Sequence, residues 1–278
     1  MTPNSFVSDI GIGATNDLSL RASVATLVRA LFKNPRDGDL MLALERKATL
    51  LKDESVRSVR VIAQPFGGAI RLFDPKALRD LIGHFHFDSE ESRAEQDFRI
   101  FIRPADWEAV QQFCINHFRD LDDVVLESDP RRELAEEFAD ALKISLKPDQ
   151  YTLRAVRIIV EENPAPTENI HARGHLTDRI YRIFEARILD SSLSHAMLTN
   201  GESYSNQDLQ ELAVEDARNG GKGRANAMLA LPLKLIRDVY LGMSPEARNT
   251  PISFESHRLA ETVGAVLEGV TVPKYRRL

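Results

Sequence analysis

Asp129-Pro130 constrains the fold most, because it starts a helix in the middle of a chain whose neighbouring segments read as strands. Pro130 fits the first helical position, where its missing N–H is not needed, and Asp129 can cap the free amides of the first turn. At roughly 100° per residue, Leu134, Phe138, Ala141 and Leu142 then fall on one side of the helix, and Glu133, Glu136 and Glu137 on the other. After this helix, residues 151–160 and 179–189 are rich in β-branched and aromatic residues and are separated by a polar, Pro-containing stretch, 161–178. Before it, residues 56–73 carry Val59-Arg60-Val61-Ile62, then Gly67-Gly68, then Ala69-Ile70-Arg71-Leu72-Phe73, a hairpin pattern. Residues 98–102 add a strand and 106–118 an amphipathic helix. The fold class is therefore α+β, a mixed sheet packed by helices.

Both ends of the chain read as helical. Val24, Leu27, Val28, Leu31 and Phe32 repeat at helical spacing, and a second apolar segment, 40–51, follows the turn Asn34-Pro35-Arg36-Asp37-Gly38. This spacing predicts a helical hairpin that packs within the chain or mediates a homodimer. Residues 206–218 predict another helix, Asn219-Gly220-Gly221-Lys222-Gly223 breaks it, and residues 225–241 resume an apolar helix around Pro232. The expected organisation is an N-terminal helical segment, 1–54, an α/β domain, 55–243, and a C-terminal extension, 244–278.

With 278 residues, 43% of them hydrophobic, the chain has ample material for a buried core. It has no apolar run long enough to span a bilayer, and residues 1–16 lack a signal-peptide pattern, so no membrane partner and a cytoplasmic location are expected. Cys114 is the single cysteine, which excludes an intrachain disulfide and a thiolate metal cluster; Phe113-Cys114-Ile115 reads as a buried structural thiol. A net charge of −6 argues against broad nucleic-acid binding. Lys274-Tyr275-Arg276-Arg277 reads as a short solubilising tail.

Three carboxylates on one helix side repel unless a cation sits among them, and a hard divalent ion takes such oxygen ligands while keeping positions for substrate phosphates. Glu133, Glu136 and Glu137 are therefore candidate metal ligands and catalytic groups. The alternative is a solvated helix face, with Arg132 and Glu136 as an ordinary i, i+4 pair. The string Arg132-Glu133-Leu134-Ala135-Glu136-Glu137 resembles the core of the Nudix box, the signature of hydrolases that cleave nucleoside diphosphates linked to another moiety. The resemblance implies an α/β/α sandwich over residues 55–243 and a Mg²⁺- or Mn²⁺-dependent, pyrophosphatase-type hydrolase of a phosphate-containing small molecule. It also implies that Glu133, Glu136 and Glu137 bind the cation. Aligning Arg132 places Phe118 and Val124 where the family carries its leading Gly and Glu, and Ala139 and Asp140 where the box ends in Gly and an apolar residue. Glu127, Asp123 or Asp122 supplies the missing carboxylate if the loop before the helix differs in length. A Nudix fold that binds a ligand or partner without turnover is the alternative. The family often places a further carboxylate downstream, for which Glu202, Glu211 and Glu215 are candidates.

Four cations are candidate substrate contacts. Arg99 and Arg103 share a face as the strand over 98–102 runs out, and Lys222 and Arg224 sit in a Gly-rich loop whose amides could meet a phosphate. The same loop serves equally as a helix connector. The pairs His84/His86 and His171/His175 have spacings that could hold a transition metal, but neither has supporting ligands. No G-x-S-x-G elbow is present, and Gly11-Ile12-Gly13 does not continue into a dinucleotide fingerprint. Trp107 can stack on a base or fill the core.

Overall fold

The computed structural model describes residues 18–52, 57–127, 129–167, 172 and 174–278. The first half comprises β1 (Leu20–Lys33), β2 (Leu40–Lys52), β3 (Arg57–Gln64), α1 (Pro75–Ile82), β4 (His86–Phe87), α2 (Glu90–Glu95), β5 (Arg99–Ile102), α3 (Trp107–His117) and α4 (Arg131–Leu142). Then come β6 (Tyr151–Glu161), β7 (Ala165–Pro166), β8 (Leu176–Ile188), α5 (Ser191–Ser203), α6 (Asn206–Arg218), β9 (Arg224–Pro232) and α7 (Leu233–Gly242). The chain closes with β10 (Ile252–Phe254), β11 (His257–Leu259), α8 (Glu261–Val266) and β12 (Tyr275–Arg277). This is an α+β fold on one mixed, curled sheet in the order β10-β11-β3-β2-β1-β8-β6-β12, with β9 on β2, β5 on β1 and β7 on β8. Gly11-Ile12-Gly13 and His171 lie outside the described residues.

The expected N-terminal helical hairpin is corrected to a β-hairpin. Ala30 faces Ala43, Leu31 faces Leu42 and Phe32 faces Met41, and the turn is closed by Asn34 N to Asp39 O (2.8 Å) and Gly38 N to Asn34 O (2.8 Å). The physical reason is burial on both faces of β1. Leu27 and Leu31 join a core with Leu42, Ile183 and Tyr240, while Val28, Ala30 and Phe32 join another with Phe66, Phe138 and Phe184. A strand with core on both sides reads as a near-continuous apolar run, and such a run matches a helical template as readily as a strand. Strands β1 and β2 lie at the centre of the sheet.

Two further expectations change. Residues 225–241 are not one helix, because Pro232 ends β9 and opens α7, having no N–H to continue a ladder and a φ suited to a helix start. Residues 69–72 do not fold back as a hairpin on β3; they run along β1, with Thr26 N donating to Gly68 O (3.0 Å) and Ile70 N to Val24 O (3.0 Å). The basic C-terminus is strand β12 on β6, with Lys274 ion-paired to Glu161 (3.0 Å) and Glu261 (3.2 Å) and Tyr275 buried. Among the described residues no helix is long and apolar enough to cross a membrane.

Charge is also buried at the sheet centre. Glu185 on β8 pairs with Arg29, with Arg154 (3.0 Å) and with Arg187 (2.9 Å). Burial alone would raise its carboxyl, but the three guanidiniums outweigh this and hold it at about 2. A depressed folded-state value adds stability that is present above the ordinary glutamate range and lost as pH falls toward 2. Glu185→Gln should therefore lower the melting temperature at neutral pH and flatten its decline in acid, as read by circular dichroism melts between pH 2 and 7.

Candidate functional site

Helix α4 is set on the sheet by its apolar side. Asp129 Oδ1 accepts from Arg131 N (2.9 Å) at the helix start, and Leu134, Phe138 and Ala141 are buried, Phe138 lying 5.0 Å from Phe66 between ring centroids. The three glutamates then divide. Glu137 and Glu133 turn toward the sheet, whereas Glu136 is 57% exposed and pairs with Arg132 (3.1 Å) on the surface. A helix residue every 100° cannot keep Glu133, Glu136 and Glu137 all inward once Leu134 and Phe138 fix the rotation.

A residue that the sequence reading missed completes the inner group. Glu45 on β2 is fully buried and within hydrogen-bonding reach of Glu137. Glu45 Oε2 accepts from Gln64 Nε2 at 3.1 Å, while Lys47 Nζ stands 3.4 Å from Oε1. Yet Glu45 Oε1 and Glu137 Oε2 are both buried and accept no hydrogen bond from the described residues. Burial, then the contact with Glu45, then the charge of Glu133 push the Glu137 carboxyl well above the usual carboxylate range, against an opposing pull from Lys47. Burial also raises Glu133, with Arg132 opposing it. Two buried carboxylates in contact fit a hard cation as third party, because the single charge of Lys47 does not balance both in a low-dielectric site. Glu133 would join them on releasing Arg132, which holds it at 2.6 Å. Among the described residues no three His, Cys, Asp or Glu side chains already converge as a ready ligand set.

Arg132 anchors the entrance of the helix. It makes a two-pronged contact with Glu127 (2.8 and 2.6 Å), and Glu127 in turn accepts from Arg71 N (3.2 Å) while its own N donates to Arg71 O (2.8 Å). Burial would lower the guanidinium, but Glu127, Glu133 and Glu136 outweigh it and keep Arg132 firmly charged. Of the three loop carboxylates considered, Glu127 is thus the one brought to the helix. Asp123 is taken up by His117 (2.9 Å) and by the amides of Val125 and Leu126.

Gly67-Gly68 brings the main chain against this group. A Cβ at Gly68 would lie 1.9 Å from Glu133 Oε2, whereas one at Gly67, where φ is +142°, would lie 2.1 Å from the backbone oxygen of Thr26. The first clash is relieved by swinging a side chain and the second only by moving a strand. Gly68→Ala should keep the fold within about 1 kcal/mol of wild type while displacing Glu133, and Gly67→Ala should cost more than that. Denaturant melts of both variants check this.

Beside the carboxylates lies a cleft of about 910 Å³, and Gln64 belongs to its wall. Arg99, Lys222 and Arg224 line it, Arg99 paired with Asp97 (2.9 Å) and Lys222 with Glu91 (2.6 Å). Arg103 is not in its wall; once β5 ends, the chain turns and Arg103 pairs with Asp106 (2.8 Å) and donates to Ile82 O (3.1 Å). Arg60, Arg179 and Arg258, which no sequence motif marks, also line the cleft, as does Lys274 from the expected solubilising tail. The Gly-rich loop opens strand β9 rather than a helix, and the Gly223 and Arg224 amides are already taken by Asp216 Oδ2 (2.8 and 3.1 Å). Those amides are no phosphate cradle, because a carboxylate fills the place an anion would occupy.

The remaining candidates sit apart. Glu202 pairs with Arg36 at the surface (2.6 Å), and Glu211 and Glu215 face a shallow groove along α6. His86 and His175 flank the Phe101 ring at 5.2 and 4.5 Å. Trp107 packs against the core beneath α3, and burial pushes the Cys114 thiol up, out of reach of nucleophile chemistry. The chain matches no protein-family model, and comparisons with curated proteins and with solved structures likewise find no match.

Proposed function

We propose that this protein is a Nudix-like, Mg²⁺-dependent hydrolase of a nucleoside-diphosphate-linked or related diphosphate. The observation that carries the reading is the buried Glu45–Glu137 pair, two carboxylates in contact with Lys47 as their cationic neighbour, set beside a cation-lined cleft. Glu45, Glu137 and Glu133 would hold the cation. When bound, a divalent ion in such a site polarises a phosphoryl oxygen and lowers the pKa of water.

The chain's own groups supply position. Gln64 fixes one oxygen of Glu45, Arg132 and Glu127 lock the rotation of α4, and Gly68 leaves room for Glu133. Arginines of the cleft would orient the phosphates in line with the carboxylates, the kind of preorganisation that supplies much of catalysis in phosphoryl transfer. One contact favours the second reading, a binding domain of the same fold without turnover: Glu133 is already neutralised by Arg132.

The test is release of phosphate or nucleoside monophosphate from a panel of diphosphate-linked compounds with Mg²⁺ or Mn²⁺, with Glu45→Gln and Glu137→Gln as controls. Metal-dependent turnover lost in both variants supports the hydrolase. Ligand binding without turnover supports the binding domain, and turnover unchanged in both variants rejects the site.

A further inference from the structure

We infer that the cleft is built for a small, soluble polyphosphate, a ligand with at least three phosphate groups, and not for a nucleobase. This deepens the diphosphate reading and rests on it only for which end of the ligand reacts. The chain carries a net charge of −6, yet seven basic side chains line the cleft against three acidic ones, Asp88, Glu91 and Glu261. Such a local reversal against the overall charge concentrates anions at one place on the surface.

The sheet lays the two chemistries along one line. On one face of the β2–β3 ladder Glu45 faces Gln64, Lys47 faces Ile62 and Thr49 faces Arg60. Four residues of strand separate the carboxylate level from the Arg60 level by roughly 13 Å. A single diphosphate held at the carboxylates would not reach the cations at the far level. At that far end Arg258 comes close enough for its charge to oppose that of Arg60, and both line the cleft, an arrangement that favours an anion shared between them. Among the described residues Arg258 and Arg224 have no carboxylate partner of their own, unlike Arg99, Arg179, Lys222 and Lys274.

What a base would need is missing from the wall. Bases are commonly held by stacking on exposed aromatic faces. Tyr181 is the one aromatic residue among the described residues of the wall, and its ring already meets Tyr275 edge-on at 5.9 Å.

The experiment is titration calorimetry of the full chain in EDTA with inorganic tripolyphosphate, myo-inositol hexakisphosphate and ADP-ribose, on wild type, Glu137→Gln and the double variant Arg224→Ala/Arg258→Ala. Both polyphosphates should bind more tightly than ADP-ribose, and the double variant should weaken them by about tenfold per arginine. ADP-ribose binding as tightly as the polyphosphates, or affinities indifferent to the double variant, would overturn the inference. So would co-sedimentation with phosphatidylcholine vesicles doped with a phosphatidylinositol bisphosphate in the absence of binding to the soluble probes. Tight polyphosphate binding by a protein inert toward every diphosphate would sink the hydrolase and leave the cleft assignment standing. Turnover of ADP-ribose with no polyphosphate binding would do the reverse.

Discussion

Glu137→Gln should make the metal-free protein more stable and, on the proposed hydrolase reading, lower turnover by about a hundredfold, the upper end of the loss that removing even an outer partner of a metal ligand brings. The stability gain follows from like charges. Glu137 and Glu45 meet in a buried site, and the folded state therefore holds a proton on the pair that the unfolded chain releases. For a group whose folded-state value is raised, stability is fully present below the ordinary glutamate value, 4.5, and is lost as pH rises above it. A neutral amide of the same shape removes that loss and should return about 0.5–2 kcal/mol at pH 8, the usual scale of a site's stability cost. Two measurements check this. The melting temperature of wild type in EDTA should fall between pH 5 and 9, and that of the variant should not. Saturating Mg²⁺ should raise wild type and leave the variant unmoved, because a ligand stabilises only the state that binds it. Identical pH profiles for the two proteins would show that the carboxylates do not share a proton.

Phe138→Ala should have the largest effect on the fold, about 3–5 kcal/mol in urea unfolding, the range for a fully buried phenylalanine. Its ring is completely buried in the cluster that holds Phe66, Phe184, Met197 and Met228, and it is the main apolar attachment of α4 beside Leu134. Phe138 also adjoins Glu137 in sequence, so a loosened helix moves a carboxylate. Phe138→Leu should keep most of the stability, with a cost below about 1.5 kcal/mol, because volume and hydrophobicity are nearly conserved. A loss under that figure for the alanine variant would mean that α4 is held by something other than this ring.

The sequence was most readable where one side of an element meets solvent. Helices α3, α4 and α6 and strand β6 fall close to where periodicity places them, since each has a polar side that interrupts the apolar residues, while β5 and β8 are marked by their β-branched and aromatic residues although both are largely buried. It was least readable at β1 and β2, where a core on both faces hides the two-residue period. That error concealed Glu45 as well. Within Leu40–Lys52 the residues Glu45, Lys47 and Thr49 alternate with Leu44, Arg46 and Ala48, a polar stripe that a strand reading turns to one face and a helical reading scatters. Glu133 and Glu137 were visible in the sequence because they sit together on one helix. Their partner was not, because strand pairing and not spacing brings it to them. The same holds for the cleft: Lys222 and Arg224 drew notice in a Gly-rich loop, but nothing local marks Arg60 or Arg258, which meet only through the β3–β11 pairing.

The parallel pairing of β1 with β8, Leu20 facing Leu176 through to Leu31 facing Arg187, sets the order in which the chain can mature. Pairings this distant in sequence carry the loop-closure cost that slows folding. Emerging from the ribosome, β1 can pair with β2 at once over residues 30–33, and later with residues 66–70 and β5, but its other edge stays open until β8 has been made. For that whole interval a long apolar strand offers unpaired amides to any neighbour. Newborn chains of this protein should depend on holding chaperones more than their finished stability suggests.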